Sequence, residues 1–163
     1  MLTLKEQAEV CRIGLVIGLL AQRDVIVWAD GIIEAAASPD SSVIDISLMS
    51  SADLPVLLSA LIDVRGEADS VKVVNAILCM CACQYSSGNL TLDEVAAILD
   101  TLAPDLSCRR CTIRAEYGTL IDTDTAAAIR TVLKSPDFTS AATELLIPYA
   151  RFADEITFER AEP

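Results

Sequence analysis

Thiols are the side chains whose spacing in this chain could do chemistry. Cys79, Cys81 and Cys83 form Cys-x-Cys-x-Cys, and Cys108 with Cys111 forms Cys-x-x-Cys. Thiolates at such short separations are what zinc or an iron–sulfur cluster requires. The surroundings point elsewhere. Residues 76–83 are one apolar run of helical character. On a helix Cys79 and Cys83 share a face while Cys81 points away from it. Structural zinc sites place Cys-x-x-Cys on a tight polar knuckle, and cysteine is also a common small core residue. Core packing is therefore preferred, with Cys79, Cys83, Cys108 and Cys111 as the candidates should a metal or redox centre exist. Arg109, Arg110 and Arg114 would lower the pKa of a nearby thiol, which gives the Cys108–Cys111 pair a redox alternative. The strand-to-helix setting of a thioredoxin-like site is missing. No cofactor is implied.

Other catalytic patterns are weaker. The chain has no histidine, which removes the commonest general base, the Ser-His and Cys-His nucleophile pairs and the commonest metal ligand. Asp122-Thr-Asp124 looks like a fragment of a calcium loop but lacks the remaining ligands. A helix N-cap explains it better. No phosphate-cradling glycine loop and no Gly-x-Ser-x-Gly elbow occur. These absences argue for a protein that is not an enzyme.

Charge is the strongest bulk signal. Acidic residues number 24 against 12 basic, giving a net charge of −12. Such a field repels nucleic-acid phosphate and anionic lipid and attracts cationic surfaces. The arginines at 109, 110 and 114 form the one basic cluster, too small and too poor in aromatics for a nucleic-acid site. The exposed acids Asp24, Asp30, Glu34, Asp122 and Asp124 are the candidates for meeting a basic partner. The bland alternative is that acid merely keeps an apolar chain in solution. Trp28, the sole tryptophan, is read as core rather than as a binding anchor.

The elements that would position these residues are helical. The chain has 163 residues, 53% of them hydrophobic and only 4% aromatic. That length suits one domain, and small aliphatic side chains suit closely packed helices. Thr3-Leu-Lys-Glu6 and Thr91-Leu-Asp-Glu94 are capping boxes that open helices. The first helix is expected over 4–20, apolar on nearly every side in its second half, with Gly14 and Gly18 permitting a close neighbour. Further helices are expected over 23–37, 52–64, 68–85, 91–102, 107–117, 123–134 and 139–155, the last with a bend at Pro148. The segment 43–49 alternates like a strand, but its flanks favour a short helix. No internal repeat or linker is apparent. The expected architecture is all-α: a single-domain bundle of about seven to eight helices, as stacked helical hairpins over 1–163, with a frayed tail from about 159.

No membrane span is expected, because the most apolar run, 13–21, is far shorter than the ~20 residues a span requires. Glu6 and Glu9 offset Lys5 and Arg12, so the leading segment lacks the positive charge of a secretion signal. A cytoplasmic location is expected.

One third of the chain carries a resemblance. Its parts are Ile13-Gly-Leu-Val-Ile-Gly-Leu-Leu, Val25-Ile-Val-Trp-Ala-Asp30 followed by Ile32 and Ile33, a loop with Pro39, Val43-Ile-Asp-Ile-Ser-Leu48, and an apolar segment over 54–64. This resembles small helical bacterial proteins associated with polymorphic or contact-dependent toxin systems. Their pattern is an "LGL" helix, a "WAD" helix, a proline-containing loop and an "ELSL"-like segment, in which Asp45 here takes the acidic position. The resemblance implies a helical fold and an immunity protein whose partner is a cognate toxin with a basic active-site cleft. A secretion chaperone or adaptor for an effector protein is the alternative, and a cysteine-based metal or redox protein the second.

Overall fold

A computed structural model describes residues 2–102 and 123–150. Among the described residues there are eight α-helices and no strand, so the fold is all-α. The helices are α1 (Leu4–Val16), α2 (Gln22–Ala35), α3 (Ser41–Ser47), α4 (Leu54–Asp63), α5 (Ser70–Ser86), α6 (Leu92–Leu102), α7 (Thr123–Leu133) and α8 (Phe138–Ala150). The ambiguous segment after the Pro39 loop is the short helix α3. The helix expected over 107–117 and the tail from 159 lie outside the described residues, as does the end of the helix expected over 139–155.

Side-chain caps set several of the helix starts. Thr3 and Glu6 form the expected capping box: the Thr3 N–H donates to Glu6 Oε2 at 2.7 Å and the Glu6 N–H to Thr3 Oγ1 at 3.2 Å. Thr91 and Glu94 repeat it at 2.7 and 3.3 Å. Asp40 caps α3 by accepting from the Ser42 N–H at 2.9 Å. Pro55 sits in the first turn of α4, where no intrahelical N–H bond is lost.

The chain divides into two compact units, one within residues 1–69 and one within residues 70–155. In the first, α1 packs on α4, α2 on α3, and α3 on α4. Its core gathers Cys11, Leu15, Val25, Trp28, Val43, Ile46, Leu57 and Leu61. Trp28 is only 7% exposed, in keeping with a core residue. In the second unit, α5 packs on α8, α6 on α7, and α7 on α8. Ile77, Leu78, Val95, Leu99 and Ile129 are fully buried there.

Each unit opens on a helical hairpin, α1 with α2 in one and α5 with α6 in the other. The two hairpins are alike at the turn inside each. The N–H groups of Leu19 and Leu20 both bond to the Gly14 carbonyl, at 2.8 and 3.0 Å, and those of Asn89 and Leu90 to the Gln84 carbonyl, at 2.9 and 3.3 Å. Gly18 (φ 75) and Gly88 (φ 73) supply the left-handed residue each turn needs. Seventy positions separate the matching residues, and at that spacing Cys11 and Cys81, Leu20 and Leu90, Val25 and Val95, and Asp30 and Asp100 are identical. The likeness of the two hairpins is faint in the sequence because few positions beyond the turn and the core line coincide. The turn also corrects the first helix boundary, which falls at Val16 and not near Leu20, because Gly18 leaves helical φ.

Candidate partner-binding surface

The acidic candidates separate by environment. Asp30 and Glu34 lie four residues apart on α2 and are both exposed. That spacing places them on one face. Asp24 stands in the first turn of the same helix and is half-buried. One of its carboxylate oxygens accepts from the Ala21 N–H at 2.8 Å. Ala21 has no side chain to return the bond, so this is half a capping box. Asp124 lies in the first turn of α7, and Asp122 is outside the described residues. The structure therefore joins Asp30 with Glu34 and gives Asp24 a capping role.

Beyond Arg23 in its first turn, α2 and the segment after it carry no cation until Arg65, whereas Asp45, Asp53 and Asp63 join Asp30 and Glu34 as exposed acids. Two cations of α1 are engaged within that helix. Lys5 Nζ lies 3.0 Å from Glu9 Oε1, and Arg12 Nη2 lies 2.6 Å from Glu9 Oε2. Lys5 also donates to the Ile62 carbonyl at 2.7 Å, placing positive charge at the C-terminal end of α4, where the helix dipole favours it.

Apolar exposure concentrates on α3 and α4. Leu48 is 76% exposed, Val56 and Ile62 each 51%, and Leu54 44%. Helix α4 buries Leu57 and Leu61 and has Ser59 and Asp63 as its only polar side chains. Leu54, Leu58 and Ile62 follow one another at four-residue spacing beside that buried line. Charge and motif spacing in the sequence do not mark this surface. A different signal is present: α4 carries more apolar residues than one buried face needs. The turn between α3 and α4 is held in place by Gln22, whose Nε2 donates to the carbonyls of Met49 at 3.0 Å and Ala52 at 2.9 Å.

The thiols behave as core. Cys79 and Cys81 are buried within α5 and Cys83 is half-buried. Burial pushes the Cys81 thiol up to about 12. Cys11 is also raised, first by burial and then by the nearby Asp24 carboxylate, against a small lowering from a backbone hydrogen bond. Thiols so placed stay protonated at neutral pH and are poor nucleophiles. Among the described residues no group of three Cys, Asp or Glu side chains is placed to hold a metal ion. Cys108 and Cys111 lie outside the described residues.

One open depression of about 440 Å³ lies between α7 and α8, lined by Thr131, Val132, Ser135, Glu144 and neighbours. Glu144 is its single titratable group, which does not make an acid–base pair. No helix among the described residues is long and apolar enough to cross a membrane.

Fold and surface together define an all-α protein with an acidic second helix and an apolar hairpin beside it. Compared with known protein families, curated protein sequences and solved structures, the chain matches none.

Proposed function

We propose that this chain acts by binding another protein rather than by catalysis, as an immunity protein that covers the basic active-site cleft of a cognate bacterial toxin. The observation that carries the reading is the exposed acidic face of α2, Asp30 with Glu34, in a stretch without a single lysine or arginine. Such a face speeds encounter with a cationic cleft through long-range attraction. The same field disfavours nucleic acid and anionic lipid as partners. A cytoplasmic location belongs to this reading, because a producing cell needs protection where its toxin is made.

Co-expression with the product of the gene immediately upstream tests it. A stable one-to-one complex that rescues growth is the expected result. Absence of both complex and toxicity would overturn the toxin assignment. The association rate should fall about ten-fold or more as salt rises from low to high ionic strength.

A second reading has its own observation. The exposed Leu48, Leu54 and Ile62 suit a secretion chaperone or adaptor that holds an apolar cargo segment. Truncation of the partner separates the two: an adaptor binds an unfolded or N-terminal segment, an immunity protein the folded catalytic domain.

A further inference from the structure

We infer that the α3–α4 hairpin, with the exposed Asp45, Asp53 and Asp63 that it carries, is the docking face for a basic amphipathic segment of a partner protein. The inference rests on the reading that the chain works by binding protein, and it holds for toxin or cargo alike. Three observations name the occupant. First, Leu48, at the C-terminal cap of α3, and Leu54 and Ile62, on α4, are 76%, 44% and 51% exposed. A surface of this kind seeks an apolar counterpart. Second, every ionisable side chain from Asp24 through Asp63 is an acid, and these outnumber the nearby Lys5, at the Ile62 carbonyl, and Arg65, so the counterpart is expected to be cationic around its apolar residues. A second copy of this chain is disfavoured, since each carries a net charge of −12. Third, the two Gln22 hydrogen bonds hold the turn carrying Leu48 and Leu54. A preformed turn lowers the ordering cost of binding. A helix with Leu or Phe at three- and four-residue spacing and Lys or Arg on its flanks meets both requirements.

The test uses the full chain and a fluorescent helical peptide of about 18 residues built from Leu and Lys, with a control in which Ser replaces Leu. The Leu/Lys peptide should bind at least about ten-fold more tightly than the Ser/Lys control. The double variant Leu48→Ser/Leu54→Ser should lose about ten-fold in affinity. Asp45→Asn/Asp53→Asn should lose about three-fold, and that loss should vanish at high salt. Asp93→Asn/Asp100→Asn, on the exposed face of α6, should bind as the parent does. Leu48 projects into solvent, so circular dichroism of the first variant should match the parent. Equal affinity for the two peptides, no effect at Leu48 and Leu54, or equal losses from the α6 variant would each overturn the proposal. So would a dimer of the parent chain that Leu48→Ser dissociates, which would assign the face to a second copy. Failure of the toxin co-expression with the peptide result intact would remove the toxin and leave the docking face. A toxin complex that Leu48→Ser/Leu54→Ser leaves untouched would do the reverse.

Discussion

The indole N–H of Trp28 donates to Oε1 of Gln7 at 2.9 Å, tying the single tryptophan of α2 to α1. The other end of the same amide donates to the Leu2 carbonyl at 3.2 Å. Gln7 therefore satisfies an indole whose surroundings are almost fully closed to water. Replacing it with Leu leaves that donor without its partner, and should cost about 1–3 kcal/mol of stability. Urea unfolding followed by Trp28 fluorescence measures this directly. A loss below about 0.5 kcal/mol would mean that water reaches the indole and the bond contributes little.

Much of this geometry was legible beforehand. The capping boxes at Thr3 and Thr91 and the Val25–Trp28–Ala29 stripe are local patterns, set by hydrogen-bond chemistry and a 3.6-residue period. They predicted helix starts and a buried face. Other features were not fully legible. Gly18 reads as a packing glycine until the chain is seen to turn there, because positive φ leaves no mark on composition. The excess of apolar residues in α4 is a sequence signal, but that Leu54 and Ile62 are the ones left uncovered depends on which neighbours pack on α4, a tertiary matter. Of the acidic candidates, charge alone could not separate Asp24, which caps its own helix, from Asp30 and Glu34, which face solvent.

Gly14 should not tolerate even a methyl group. A Cβ there would meet Leu20 Cδ1 at 2.8 Å and Cγ at 2.9 Å, and Leu20 is itself only 8% exposed. Gly14→Ala forces the buried leucine to move and should destabilise by about 1–3 kcal/mol despite the better helix propensity of alanine. A denaturation midpoint equal to or above the parent's would show that Leu20 shifts freely. The matching position in the second unit is Gln84, so this close approach belongs to the first unit.

Gln22 links fold to surface. Replacing it with Ala removes the donor for two loop carbonyls and should cost about 1–2 kcal/mol. The more telling readout is local. Amide hydrogen exchange should accelerate over residues 48–53 while the core of α1 keeps its protection. Uniform acceleration would mean that the turn is held by something other than Gln22.

The buried thiols supply a pH dependence whose sign is fixed. The Cys81 thiol titrates near its ordinary value of 9.0 when unfolded and near about 12 when folded. Between those values the folded chain keeps a proton that the unfolded chain has released, so stability falls as pH rises through that window. Cys11 is raised as well and adds in the same direction. The limiting slope is about 1.4 kcal/mol per pH unit for each thiol. Lysine and tyrosine also titrate there, so the comparison must be between the parent and Cys81→Ala. That variant should start lower, by the cost of a small cavity, and then lose stability less steeply above about pH 9. In the native protein at neutral pH, Cys11 and Cys81 should react with a thiol reagent only as fast as the chain opens. Parallel stability curves for parent and variant, or rapid labelling of Cys81 in the folded state, would show a thiol able to ionise in place.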